Sequence, residues 1–311
     1  MIVLYVLLRN MRQISYPPRA LISAMFVSLA FSASADTAKE QSGWARFFDQ
    51  FKATGTIVVS DERSGSEGEL VFGNDRAMKR YTPASTFKIP HTLFALDAGV
   101  IRDEFETITW DGTKRSYPAW NQNQNLRSSM RHSVVWVYQK FANEIGEKRE
   151  QEYLYKIRYG NEDPTGKGPF WIKGNLSVSA YEQIGFLKKL YRNQLPFSVA
   201  NQRLVKDIMI VEAGSEWILR AKTGWSGTIG WWVGWIEQPT GTVFFALNID
   251  TPNRMDDLPK REGITRAILA SLGVLKPKSA EQDGADQPAT APESKPENGE
   301  EPKPESEARS H

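Results

Sequence analysis

Strand-type segments sit at both ends of this chain, and a long stretch with helical periodicity separates them. Residues 56–60 and 69–72 are short β-rich runs divided by a Gly- and Ser-containing turn, the pattern of a hairpin. From about residue 83 to 210 the apolar spacing becomes helical: 91–98 closed by Gly99, 134–145 closed by Gly146, then 152–157, 181–191 and 202–210. Strands return at 217–221, 231–236 and 243–249, the last two joined by the tight-turn sequence Gln238-Pro239-Thr240-Gly241, and a final helix covers about 261–272. An isolated strand leaves its backbone groups unpaired, so the early and late strands must meet across the helical insertion. The pattern predicts an α+β fold: an antiparallel β-sheet flanked by helices, built from residues 36–82 and 211–275, plus a helical subdomain at 83–210.

The flanks read differently. Arg9, Arg12 and Arg19 precede an apolar run at 20–31, and Ala33-Ser34-Ala35 offers small residues for a signal peptidase, so residues 1–35 are expected to be a signal peptide cleaved after Ala35, with export to the periplasm. Met11 is an alternative start for a leader of ordinary length. A dozen apolar residues fall short of the roughly twenty that span a bilayer, so no stable membrane anchor is expected. Residues 276–311 are rich in Pro, Glu, Lys, Ser and Ala and read as a disordered tail.

Composition narrows the chemistry. With 39 basic against 37 acidic residues there is no electrostatic case for a nucleic-acid partner. The absence of cysteine excludes thiolate nucleophiles, disulfides and zinc ribbons. His91, His132 and His311 lack the spacing that aims two imidazoles at one metal, so no metal site is expected.

The remaining candidate is a serine. A helix starting near Ser85 would lay Lys88 against the Ser85 hydroxyl, because positions i and i+3 share a face. A hydroxyl is a poor nucleophile until a base takes its proton, and with no suitably spaced histidine that base is Lys88. Burial among Phe87, Val135 and similar side chains would favour the neutral amine it needs. Backbone N–H groups converging at Ser85 would stabilise an oxyanion. Lys222-Thr223-Gly224 at the end of a strand offers a cation and a hydroxyl for an anionic substrate group, with Gly224 allowing close approach. Ser133-Val134-Val135 at a helix start offers a proton relay. Taken singly, Ser133 is also an N-cap and Lys222 a solvated strand end; their joint occurrence in this order favours chemistry.

Ser85-Thr86-Phe87-Lys88, Ser133-Val134-Val135, Tyr159-Gly160-Asn161, Lys222-Thr223-Gly224 and Trp231-Trp232-Val233-Gly234 together resemble the class D, or oxacillinase-type, serine β-lactamases from about Trp44 to Leu272. Val135 stands where class A enzymes and penicillin-binding proteins carry Asn in their Ser-Asp-Asn motif, which points to class D. The resemblance implies hydrolysis of β-lactam antibiotics, with Ser85 acylated and Lys88 carboxylated by carbon dioxide to a carbamate base for both acylation and deacylation. It implies that Trp171 steadies the carbamate and that Val135 keeps its pocket dry. Ser133 would pass a proton to the leaving nitrogen with help from Lys222, and the backbone N–H groups of Ser85 and Trp225 would form the oxyanion hole. Thr223, Gly224 and Arg261 would hold the substrate carboxylate. A homodimer is compatible with the family. A penicillin-binding sensor, acylated without turnover, is the alternative on the same residues. A transpeptidase or carboxypeptidase is a further one, disfavoured by Val135.

Overall fold

Burial with a period of two builds the sheet. In a computed structural model of the chain, which describes residues 38–275, strand β2 (Gly55–Asp61) sends Ile57 and Val59 to one apolar core and Val58 to another. Strand β3 (Gly68–Phe72) repeats the alternation with Leu70 and Val71. The expected signal peptide and C-terminal tail lie outside the described residues.

Among the described residues seven strands form one sheet. Besides β2 and β3 these are β1 (Lys39–Glu40), β4 (Ile210–Ala213), β5 (Ile218–Trp225), β6 (Ile229–Gln238) and β7 (Gly241–Asp250), in the order β1-β3-β2-β7-β6-β5-β4. The early and late strands meet at β2 and β7, antiparallel from Gly55 opposite Ile249 to Asp61 opposite Val243. All pairs are antiparallel except β1 with β3, which is parallel. The sheet is therefore mixed rather than wholly antiparallel, through a two-residue edge strand whose exposed side chains carry no periodicity to read. Strand β5 runs four residues beyond 221 because its ladder with β6 continues to Trp225 opposite Gly230, which places Lys222-Thr223-Gly224 inside the strand.

Helix α1 (Ala45–Gln50) precedes β2 and α2 (Asn74–Ala77) follows β3. Helices α3 (Lys88–Asp97), α4 (Leu126–Arg131), α5 (Val135–Ile145), α6 (Glu147–Ile157), α7 (Ala180–Tyr191) and α8 (Val199–Ile208) fill the chain between β3 and β4, and α9 (Leu258–Ser271) follows β7. Asn125 and Ser179 start α4 and α7 through reciprocal capping boxes, and Ser198 caps α8. On β6, Trp231, Val233 and Trp235 join the core shared with the inserted helices, whereas Trp232 and Ile236 join the core with Phe48 of α1 and Ile264 and Ile268 of α9. The tryptophan-rich segment is thus explained by a central strand buried on both faces.

Candidate active site

Ser85 lies in a 3-10 turn, Ala84–Phe87, and α3 begins only at Lys88. The expectation of a helix starting at the serine is corrected in detail, but a tight turn also brings i and i+3 together. Lys88 Nζ donates to Ser85 Oγ at 2.8 Å, and both side chains are buried. The turn is fixed from several sides: Thr86 Oγ1 donates to the Pro83 carbonyl at 2.7 Å and accepts from Gln183 of α7 at 2.9 Å. Ala84, next to the serine, has φ +49°, a left-handed conformation that costs a non-glycine residue about 1 kcal/mol or more. Gly224 on β5 permits the approach that holds this turn, since a Cβ there would meet the Pro83 carbonyl oxygen at 2.9 Å.

The second serine is positioned by the same logic. Ser133, φ +51°, sits between α4 and α5, and Lys222 Nζ donates to its hydroxyl and, at 3.0 Å, to the Thr223 carbonyl. Ser85, Ser133, Lys222, Thr223, Trp225 and Arg261 line one cleft, so the strand β5 and the two serine-bearing turns face one another across it. Arg261, expected to bind the substrate carboxylate, lines the cleft but is only 3% exposed: its Nη1 donates to the Gly224 carbonyl at 2.8 Å and its Nε to the Leu258 carbonyl at 2.8 Å. Packing of α9 on β6 and β7 buries it beside Gly230, where its side chain reaches the end of the Lys222-Thr223-Gly224 segment.

Beneath Lys88 the walls are aromatic. Its Nζ lies 5.2 Å from the ring centre of Tyr138 on α5. The Tyr138 hydroxyl donates to Thr92 Oγ1 (2.9 Å), which donates in turn to the Lys88 carbonyl (2.7 Å). Burial pushes the Tyr138 phenol far above its ordinary value, and the Thr92 bond only partly opposes this, so at neutral pH it stays protonated and is no rival base. Trp171 is fully buried, stacked on Phe87 with centroids 5.9 Å apart, while its carbonyl accepts from Thr82 Oγ1 at 3.0 Å. Its indole N–H has no hydrogen-bond partner among the described residues. Val135 opens α5 half-buried against the same core, with Val134 beside it fully buried.

Tyr159-Gly160-Asn161 lies outside the cleft's lining: Gly160 has φ +56°, and a Cβ there would meet the Ser177 carbonyl oxygen at 2.0 Å. Sequence reasoning missed Tyr138, whose only signal was its place one turn into α5 after Ser133-Val134-Val135. It also missed His132 as a cleft-lining residue.

Over residues 32–270 the chain matches the family described as penicillin binding protein transpeptidase domain. It is 62% identical over 262 residues to the β-lactamase OXA-3 of Pseudomonas aeruginosa, covering 84% of this chain and 95% of that enzyme. Against the β-lactamase OXA-48 of Klebsiella pneumoniae the identity is 43% over 264 residues, 82% of this chain and 98% of that one. Among solved structures, the class D β-lactamase YbXI from Nostoc superposes with a TM-score of 0.71 at 39% identity, covering 75% of this chain and 99% of that chain.

Proposed function

Because this chain belongs to the class D β-lactamases, within the penicillin-binding transpeptidase family, we propose that Lys88 becomes the general base of its reaction by capturing carbon dioxide. The reaction is hydrolysis of β-lactams through a serine acyl-enzyme. The neutral amine forms an N–C bond to carbon dioxide and releases a proton, leaving an anion on the lysine. A dry, aromatic-walled pocket favours the uncharged amine that this step requires.

One observation carries the reading: the fully buried Trp171 indole N–H lacks an acceptor among the described residues. An orphaned buried donor costs about 1–3 kcal/mol, so its persistence calls for a partner that the twenty side chains do not supply here. The carboxyl group on Lys88 fits that need. When present it supplies an anionic base, taking the Ser85 proton in acylation and a water proton in deacylation.

The chain's own groups do the rest. Ser85 Oγ bonds to the lactam carbonyl carbon as the ring C–N bond breaks, and Ser133, held by Lys222, passes the proton to the departing nitrogen. The backbone N–H groups of Ser85 and Trp225 face the developing oxyanion. Thr223, Gly224 and Arg261 bind the substrate carboxylate at the end of β5. Water then attacks the ester and frees Ser85. Action in the periplasm, after cleavage behind Ala35, and assembly as a homodimer belong to the same reading. Among the described residues no helix is long and apolar enough to cross a membrane.

Depletion of bicarbonate at mildly acidic pH, followed by assay with a chromogenic cephalosporin, tests the carboxylation. Slow turnover that recovers on adding bicarbonate is expected. Constant activity in depleted buffer contradicts it.

A further inference from the structure

Helix α3 carries a second ionisable group one turn beyond Lys88. His91 is fully buried, its Nε2 donates to Glu150 Oε1 of α6 at 2.7 Å, and Glu150 is itself 1% exposed. The bond leaves His91 Nδ1 and Glu150 Oε2 buried without partners among the described residues. Such a pair is a poor source of stability. Taking such polar groups out of water costs several kcal/mol, and replacing the whole pair by apolar side chains of similar volume commonly does as well or better. Two unsatisfied polar atoms raise that cost further.

What the pair does provide is a ring fixed in plane and rotation. The imidazole meets Trp171 edge to face, centroids 5.0 Å apart at 61°, and lies 5.7 Å from Tyr138 and 5.2 Å from Phe87. It therefore abuts Tyr138, whose face lies beside Lys88 Nζ, and Trp171, whose indole N–H awaits an acceptor. A flexible apolar side chain in its place would fill the volume without setting a ring angle.

We infer that His91, oriented by Glu150, is a positioning residue that sets the Trp171 indole for the carboxyl group on Lys88. This rests on the proposed carboxylation. Loss of such an outer partner in metal sites typically costs about 10- to 100-fold in metal affinity or activity, and by analogy a loss of that order is expected for carbon dioxide on Lys88.

The test compares wild type, Glu150→Met and Glu150→Gln by 13C NMR of the carbamate during titration with labelled bicarbonate, alongside thermal unfolding. Glu150→Met leaves the buried Nε2–H of His91 without its acceptor, so it is expected to melt below wild type and to need about 10-fold or more bicarbonate for half-occupancy. Glu150→Gln, which retains an acceptor for Nε2–H, is expected to stay close to wild type. Unchanged bicarbonate affinity in Glu150→Met overturns the inference while leaving the carboxylation standing. A bicarbonate affinity that falls as far in Glu150→Gln, which still holds the imidazole, as in Glu150→Met overturns it as well. A wild-type protein with no carbamate signal overturns the carboxylation itself and this inference with it.

Discussion

Replacing Trp171 by Phe removes one indole N–H and keeps an aromatic ring against Phe87, His91 and Phe170. The hydrogen bond to be lost is one from a neutral donor to an anion in a site with no exposure, worth about 1.5–3 kcal/mol. At 1.4 kcal/mol per decade this is about a 10- to 150-fold weaker hold on carbon dioxide. The Ser85 hydroxyl and the cleft around it are untouched. Mixing Trp171→Phe with a chromogenic cephalosporin at ambient bicarbonate should give a reduced turnover rate, and excess bicarbonate should restore most of it. A lower melting temperature is also expected, because the smaller ring leaves a void in a packed core. If turnover matches wild type at every bicarbonate concentration, the unpaired N–H has no role in the base. A deficit that bicarbonate leaves untouched would equally refute the reasoning.

Other outcomes follow from the same geometry. Ser85→Ala should abolish covalent labelling by penicillin in intact-protein mass spectrometry, whereas Lys88→Ala should acylate slowly and keep the label; a Lys88→Ala variant with wild-type turnover would remove the base assignment. Gly160→Ala forces a side chain into a left-handed backbone, at about 1–2 kcal/mol, and against a carbonyl oxygen 2.0 Å away, at about 1–3 kcal/mol more, so thermal unfolding should register a loss of about 2 kcal/mol or greater. Burial, followed by the neighbouring Arg131 charge, holds His132 below its ordinary value of 6.5. The unfolded chain therefore takes up this proton first as pH falls, so the stability tied to neutral His132 is complete above pH 6.5 and is lost as pH drops through the lower folded value. Melting temperatures of His132→Asn measured across mildly acidic pH should show a shallower decline than wild type.

The candidate site residues that the structure brings together were legible because each is set by local spacing. Ser85 and Lys88 are three residues apart, and either a helix or the observed 3-10 turn brings them together. Lys222-Thr223-Gly224 follows an apolar strand pattern, and the meeting of β2 with β7 follows from strands having to pair. What escaped depends on contacts between distant elements. Tyr138 reaches Lys88 from α5, and Glu150 reaches His91 from α6, through helix packing that no short window encodes. Among the described residues only one nitrogen of His91 is paired, which its place in an apolar helix pattern does not reveal. The burial of Arg261 comes from α9 packing on β6 and β7, together with its bond to the Gly224 carbonyl of β5. Strands β1 and β4 are short edges with largely exposed side chains, held by backbone pairing that leaves little trace in residue pattern.

The most direct measurement is the 13C spectrum of fully active protein at neutral pH in labelled bicarbonate, with Lys88→Ala as the reference. A carbamate resonance that is present in wild type, absent in Lys88→Ala, and lost and regained in step with turnover is the predicted result. Full turnover from a protein whose Lys88 carries no label would contradict the account.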